Sequence, residues 1–510
     1  MSQDNVAPGG PDLTRGVSPA DFAGNKMVGH VGDQEVLLIR TDDEIFAIDA
    51  HCSHYHAPLV DGLVVGASVR CPWHHACFDL KTGEATRAPA FNPLACWNVE
   101  QRDGLIFVYG KRDEPQPQAA TAKAAAPEKI VIVGGGAAGF AAADMLRRKG
   151  FGGSIVMLSR EGGTPVDRPN LSKDYLAGSA PEDWMPLRPD DWYVEAGIEL
   201  HSDADVSGID TAAHRVTTAN GKAFSYDRLL LATGAEPVRL TVPGAELPHV
   251  HTLRSLADSR AIIDAAKSAR RVVVVGASFI GLETAAALRA RDLEVHVVAP
   301  EQRPMERILG PGMGDFVRAL HEEHGVVFHL NDTVTAIEPK RVVLKSGAAI
   351  EADLAVVGIG VRPRLDLAER ANLALDRGVV VNACLETSAS GVFAAGDIAR
   401  WPDPHSGESI RVEHWVVAER QGQVAARNML GERVAFDAVP FFWSQHYDIP
   451  INYVGHAERW DEISVDGDIA AKDCLLRYKS KGRVLAVASI FRDVASLKAE
   501  LDMEKETAGV

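Results

Sequence analysis

Apolar residues fall along this chain in three rhythms. From about residue 16 to 110 they come in short bursts separated by turn residues: Glu35-Val-Leu-Leu-Ile39, Ile45-Phe-Ala-Ile48 and Leu105-Ile-Phe-Val-Tyr109. That pattern predicts a small all-β domain. From residue 129 the rhythm becomes apolar strand, glycine-rich turn, alanine-rich helix. Lys129-Ile-Val-Ile-Val133 reads as a buried strand, followed by Gly134-Gly-Gly136-Ala-Ala-Gly139, a helix to about Arg148 and a strand at Ser154-Ile-Val-Met-Leu158. A second such unit runs from the strand Arg271-Val-Val-Val-Val275 through Gly276-Ala-Ser278-Phe-Ile-Gly281 and a helix to about Arg291, into the strand Glu294-Val-His-Val-Val298. Strand-like Arg228-Leu-Leu-Leu-Ala-Thr-Gly234 precedes the second unit, and Val392-Phe-Ala-Ala-Gly396-Asp397 follows well after it. The second unit is therefore expected to be inserted into the first domain. From about 431 a strand-rich stretch with Trp443, Tyr447, Tyr453 and Trp460 predicts a smaller α+β domain.

The low-complexity segment from Pro115 to Pro127 reads as an interdomain linker. The expected division is 1–112, a linker at 113–127, 128–250 with 373–430, 251–372, and 431–510. At 510 residues the chain is long enough for several domains with full cores. A formal charge of −17 disfavours nucleic acid, whose binding needs clustered Lys and Arg. Six cysteines in this length make no disulfide framework; Cys77, Cys96, Cys384 and Cys474 are expected to be buried thiols. Met1 to Gly24 carries no apolar signal-peptide core, and no apolar run reaches the roughly 18 residues of a membrane span. A cytoplasmic location is expected. Oligomeric state is not legible.

Each strand–turn–helix unit carries chemistry. In G-x-G-x-x-G the first glycine makes the tight turn, the second lets the backbone approach a pyrophosphate, and the third permits close helix–strand packing. The helix N-terminus supplies the anion site. Gly134, Gly136 and Gly139 fill the first fingerprint. Glu161, just beyond the second strand, is the candidate ribose-binding carboxylate. In the second unit Gly276 and Gly281 remain, and Ser278 replaces the middle glycine with a side chain still small enough for a dinucleotide to approach. Ala299 stands where a carboxylate selecting NAD is expected, and Glu301 lies two residues on, so NAD(H) and NADP(H) both stay open.

In the front domain Cys52-Ser53-His54 is followed, after sixteen residues, by Cys71-Pro72-Trp73-His74. Two thiolates and two imidazoles in this order match the ligand set of a Rieske [2Fe–2S] centre, with Cys52, His54, Cys71 and His74 as ligands. Cys₂His₂ is also a zinc set. The segment 63–70 between the pairs reads as a hairpin, which places each pair on a loop. The block from Cys71 to Gly83 resembles the second ligand loop of Rieske ferredoxins. His56 and His75 stand where such loops often carry glycine; each reads as a solvent-facing residue or as a neighbour that tunes the cluster. Ala57 and Trp73 stand where high-potential Rieske proteins carry a disulfide, so a lower-potential, ferredoxin-like centre is expected.

Residues 128–510 resemble the FAD-dependent pyridine-nucleotide reductases with two dinucleotide-binding domains. They are nearest the oxygenase-coupled ferredoxin reductases of rubredoxin and putidaredoxin type and the apoptosis-inducing-factor-like proteins. The motifs are Arg168-Pro-Asn-Leu-Ser-Lys173, Ala232-Thr233-Gly234, Val357-Gly-Ile-Gly360-Val-Arg-Pro363, the run from Thr387 to Gly396-Asp397, and Glu413-His-Trp415. A Rieske module ahead of such a reductase is the architecture of the Rieske-containing apoptosis-inducing-factor-like subfamily. The fold class implied is an N-terminal all-β Rieske domain, then an α/β flavoprotein with FAD and NAD(P) Rossmann-like domains, then a small α+β domain.

The resemblance also implies roles. Gly134, Gly136, Gly139 and Arg168 hold the FAD phosphates, and Asp397, beside Gly396, accepts from a ribityl hydroxyl. Thr233, Gly234, Gly276, Gly281 and Gly360 line the nucleotide sites. Lys173 approaches the flavin and pairs with Glu283, and Trp415 stacks near flavin or nicotinamide. No cysteine lies between Gly139 and Leu229, which argues against dithiol chemistry. The implied activity is transfer of electrons from NAD(P)H through FAD to the Rieske cluster and on to an oxygenase, a ferredoxin or another acceptor. The alternatives are reduction of a separate ferredoxin with a docking or regulatory Rieske domain, and a non-catalytic redox sensor.

Overall fold

A computed structural model describes residues 9–42, 44–113 and 127–508. The chain divides into two compact units, residues 1–119 with 492–505, and residues 120–491 with 506–510. The linker expected at 113–127 lies almost wholly outside the described residues.

The first unit is built from three antiparallel sheets. Lys26–Val31, Gln34–Arg40 and Ile45–Asp49 form one, Leu63–Val65, Ser68–Arg70, Cys77–Asp79 and Ala85–Arg87 the second, and Trp97–Arg102 with Leu105–Lys111 the third. The strand Gln34–Arg40 explains its own unbroken apolar run. Successive side chains point to opposite faces. Leu37 and Ile39 join one core with Phe78, Cys52 and Cys71, and Val36 and Leu38 join another with Leu13, Trp97 and Val108. The hairpin expected at 63–70 is present and carries the two ligand loops at its flanks.

The second unit holds two parallel five-stranded sheets. One runs in the order Ile198–His201, Ser154–Leu158, Lys129–Val133, Arg228–Leu231, Val392–Ala394. The other runs Val250–Thr252, Leu354–Val357, Arg271–Val275, Glu294–Ala299, Val326–Leu330. Parallel strands covered on both faces need apolar residues at every position, which is why they read as continuous Val, Ile and Leu runs. Leu229–Leu231 pairs with Val392–Ala394, so the second sheet is inserted between neighbouring strands of the first, as expected. A five-stranded antiparallel sheet spans Phe441–His446 to Arg483–Ile490. Among the described residues no helix is long and apolar enough to cross a membrane.

The sequence groups 431–510 as one domain, and the structure divides it. The sheet stays with the second unit, whereas residues 492–505, all but the first of them in the helix Asp493–Ala508, pack with the first. The buried stripe of that helix is Ser496, Leu497, Glu500 and Met503. Half of it is polar, so apolar periodicity does not announce which face is covered. One further expectation changes: Cys384 is only half-buried, in a turn where its N–H donates to the Asn382 side chain, while Cys77, Cys96 and Cys474 are buried.

The helix Ala137–Arg148 starts close against its strand because Gly139 has no side chain. A Cβ there would stand 1.9 Å from the Gly134 carbonyl oxygen. Gly139→Ala is therefore expected to cost about 1–3 kcal/mol. A thermal melt should show a lower Tm and the purified protein should lose flavin. Gly152→Ala, with nothing within 4 Å of the added carbon, should leave both unchanged.

Candidate cofactor sites

The two ligand loops of the first unit are near copies of each other. In one, the Cys52 N–H donates to the Ala57 carbonyl and the His56 N–H to the Cys52 carbonyl; in the other, Cys71 donates to Ala76 and His75 to Cys71. Each loop turns through a left-handed residue, His56 at φ 58° and His75 at φ 59°. That conformation favours glycine, which accounts for glycine being common at these positions in similar loops. The loops bring His54 Nδ1 to 3.2 Å from His74 Nδ1, and the Cys52 and Cys71 thiols within hydrogen-bonding range of each other. Burial pushes the His54 imidazole down to about 3, so it is neutral and offers a lone pair. Among the described residues no three His, Cys, Asp or Glu side chains converge as they would on a single ion. One thiol pair and one imidazole pair suit a two-iron centre, in which each iron takes two protein ligands, better than a zinc that gathers all four. Trp73, on the tip of the second loop, is 42% exposed.

The two extra histidines differ. His56 is exposed, as one of its two readings expects. His75 is fully buried, which overturns its solvent-facing reading. Its Nδ1 lies 2.8 Å from Glu500 and its Nε2 3.4 Å from the Ser496 hydroxyl, both on the C-terminal helix. The same helix presents Glu504, which accepts from Arg70 at 2.6 Å and from Arg87 at 2.7 Å. Two acidic side chains four residues apart on a helix repel each other, and the two guanidiniums between them remove that repulsion. Arg70 immediately precedes Cys71, so the helix is fastened directly behind the second ligand loop.

Burial pushes the Glu504 carboxyl up, but Arg87 and Arg70 outweigh it and hold the group below the usual carboxylate range. A depressed carboxylate stabilises docking above its unfolded pKa of about 4.3 and loses that contribution as pH falls through its own lower value. Hydrogen-exchange protection of the amides at 493–507 is expected to be full at neutral pH and to fall below about pH 4.3. Glu504→Gln should reduce the same protection at pH 7 by about 1–3 kcal/mol, the scale for leaving the partners of a partly buried, charged hydrogen bond unsatisfied. Unchanged protection in that variant would mean the helix is held by its apolar contacts alone.

The second unit encloses a cavity of about 1300 Å³, larger than the roughly 300–1,000 Å³ of a single small-molecule pocket. Its lining includes every nucleotide-site residue predicted above except Gly139 and Gly281. Those two sit behind it as packing positions; a Cβ on Gly281 would meet the Gly276 carbonyl at 2.3 Å. The helix Ala137–Arg148 has no side-chain cap, so its first N–H groups face a ligand unopposed. The second fingerprint differs. Ser278 Oγ accepts from the Gly281 N–H at 3.2 Å and donates to the Gly358 carbonyl at 2.7 Å. The substitution that removes the middle glycine therefore caps its own helix.

Glu161 accepts from Arg168 at 2.8 Å, and Arg168 also donates to the Arg254 carbonyl at 2.8 Å. Asp397 accepts from Arg254 at 2.5 Å. Arg254 was not singled out in the sequence, because nothing near residue 254 marks its arrival beside Asp397. Thr233 donates to the Arg364 carbonyl at 3.0 Å. Gly234, Gly360 and Gly396 line the cavity with positive φ, and Trp415 opens the helix Trp415–Met429 at its wall. His414 Nδ1 and Arg364 Nε are buried without a hydrogen-bond partner in residues that line the cavity. A polar, anionic dinucleotide fits this set.

Lys173 and Glu283 meet at 2.8 Å, with side chains only 14% and 3% exposed. A solvent-screened surface ion pair is therefore excluded. Lys173 Nζ also donates to the Pro169 carbonyl at 3.2 Å and stands 5.9 Å from the centre of the Trp443 ring. Glu283 accepts in addition from the hydroxyls of Ser172 and Ser444, each at 2.6 Å. Ser444 comes from the C-terminal sheet, and its role had no signature in the sequence.

Comparison with known proteins follows the same division. Residues 128–422 match the pyridine nucleotide-disulphide oxidoreductase family and residues 17–98 the Rieske [2Fe–2S] domain. Apoptosis-inducing factor 3 of Homo sapiens is 34% identical over 490 residues, covering 92% of this chain and 80% of its own. Rhodocoxin reductase of Rhodococcus erythropolis is 39% identical over 335 residues, 65% of this chain and 78% of its own. The crystal structure of the covalent putidaredoxin reductase–putidaredoxin complex superposes with a TM-score of 0.72 at 33% identity, covering 75% of this chain and 94% of that one. With its cavity for two dinucleotides and its paired ligand loops, the chain belongs to the pyridine nucleotide-disulphide oxidoreductase family, as a ferredoxin-reductase-type NAD(P)H oxidoreductase that uses FAD and carries a Rieske [2Fe–2S] domain.

Proposed function

We propose that this enzyme takes electrons from NAD(P)H at FAD and sends them singly to its own Rieske centre, and from there to an oxygenase component or a ferredoxin. One observation carries the reading. No cysteine lies among the described residues lining the dinucleotide cavity, so the pair of electrons has no dithiol to enter there. The same chain holds two thiols and two imidazoles set for a one-electron centre. FAD accepts a hydride equivalent as a pair and returns electrons one by one, which the Rieske centre requires.

The residues divide the work. Gly134, Gly136 and the open start of the helix Ala137–Arg148 take the FAD pyrophosphate. Arg168 bridges from the phosphates to Glu161, which holds the adenine-side ribose. Asp397, fixed by Arg254, takes the ribityl chain. Lys173, held by Glu283 and Trp443, places a cation beside the flavin, where it stabilises negative charge. Trp415 closes the nicotinamide side and excludes water. Cys52 and Cys71 hold one iron, His54 and His74 the other. We place this chemistry in the cytoplasm, where NAD(P)H is supplied.

Glu301 lines the cavity two residues past the strand Glu294–Ala299. A carboxylate there accepts from ribose hydroxyls and repels a 2′-phosphate, so NADH is the expected donor. Glu301→Ala should narrow the NADH over NADPH preference in kcat/KM by about tenfold, roughly 1.4 kcal/mol. Low-temperature EPR after anaerobic addition of NADH tests the electron route directly. A Rieske-type signal is expected. A signal that appears with dithionite but with neither nucleotide would remove the cluster from the internal route and favour a docking or regulatory role.

A further inference from the structure

The Lys173–Glu283 pair is the inner end of a longer buried chain. Ser444 donates to Glu283 Oε1 at 2.6 Å, and its hydroxyl lies 3.2 Å from His446 Nε2. His446 Nδ1 lies 3.2 Å from His321 Nε2, and His321 Nδ1 lies 3.3 Å from the Tyr447 hydroxyl. Ser444, His446 and His321 have no exposed surface. Tyr447 is half-buried, and the exposed ring of His324 stacks on it at 3.6 Å. The backbone explains the line-up. Ser444 and His446 alternate on one face of the strand Phe441–His446, His321 sits near the end of the helix Glu306–Glu323, and Tyr447 takes φ 58° at the turn after the strand.

We propose that Ser444, His446, His321 and Tyr447 form a proton conduit between Glu283 and solvent. The inference rests on the reading that hydride arrives beside Lys173 and Glu283. Oxidation of one NADH by one-electron carriers gives NAD⁺, two electrons and one proton. The electrons leave through the cofactors, and a proton delivered to the buried Glu283 needs a route back to solvent. Conduits of this kind need links that both donate and accept, and every link here does.

The chain also has a defined polarity. Burial pushes His446 down to about 3 and His321 well below its usual value, with Lys173 acting on the first, and His446 and then His324 on the second, in the same direction. Both imidazoles are neutral, each with one N–H and one acceptor nitrogen. Burial pushes the Tyr447 hydroxyl up against the opposing charge of Arg289, so it keeps its proton. An ionised Glu283 only accepts. Ser444 must then donate to it, His446 Nε2–H to Ser444, His321 Nε2–H to His446 Nδ1, and Tyr447 to His321 Nδ1. One set of tautomers satisfies all four bonds. Moving every proton one place inward protonates Glu283, turns both imidazoles into Nδ1–H tautomers and leaves the chain set to move a proton outward.

The test reads that polarity. In the full-length holoprotein labelled with [¹⁵N]histidine, NMR should show His321 and His446 as Nε2–H tautomers. In Glu283→Gln the amide oxygen stays with Lys173 and Ser172, and the amide N–H turns to Ser444. Both histidines should then switch to Nδ1–H. Tautomers that stay as they were would overturn the conduit. In Tyr447→Phe, a half-buried change that removes only the outer hydroxyl, stopped-flow with a pH indicator should show the proton change after NADH slowed by about 100-fold. Bleaching of the flavin by NADH should keep its rate. Equal proton rates in the variant and the parent would also overturn it. Absence of flavin bleaching in the parent would instead sink the proposed function, which the tautomer measurement does not depend on.

Discussion

A carboxylate shut away from water has to be met by donors on every side, and Glu283 imposes that condition on three separate parts of the second unit. Lys173 and Ser172 come from the segment that follows the first dinucleotide fingerprint, Glu283 from the helix Phe279–Arg289 of the inserted unit, and Ser444 from the C-terminal sheet. Removing any donor leaves a buried charge short of partners, at a cost on the order of 1–3 kcal/mol. Three segments far apart in the chain are thus fastened to one carboxylate at the wall of the dinucleotide cavity. The same condition fixes which way Ser444 points, and through Ser444 the hydrogen-bonding direction of His446 and His321.

The legible parts of this protein are those where one short segment carries the whole physical requirement. Val131 and Val273 belong to strands buried on both faces, so their runs are continuous and unmistakable. The ligand loops close within six residues, so Cys52-x-His54 and Cys71-x-x-His74 carry their geometry in their spacing. Gly139 and Gly281 are glycines because a carbonyl five residues earlier in the same turn leaves no room for a Cβ. The illegible parts are encounters. His75 meets Glu500 across 425 residues, and Arg254 meets Asp397 across 143. Nothing in the local composition of either partner distinguishes it from a solvated charge. Lys173 and Glu283 fall between the two cases, because the motifs around them are recognisable although their contact is not.

Serine in place of the middle glycine of the second fingerprint shows how a departure from pattern can be a solution. A free helix start attracts phosphate because its N–H groups lack partners. At Ser278 one of those groups is already served. The first fingerprint, with no cap, suits a dinucleotide that is retained; the second, partly satisfied by its own side chain, suits one that comes and goes with each turnover.

The C-terminal helix alters what the linker has to do. The chain leaves the Rieske unit, builds the reductase, and returns to the Rieske unit to close a loop of the backbone. A single proteolytic nick between residues 113 and 127 would cut the peptide without freeing either part. The fragments would stay associated through the clasp of Arg70, Arg87, Glu500 and Glu504, and would separate only when acid or salt loosened it. The cluster domain is therefore joined to the rest of the chain twice, once by the peptide and once by the seating of its last helix, and the second joint does not depend on the first being intact.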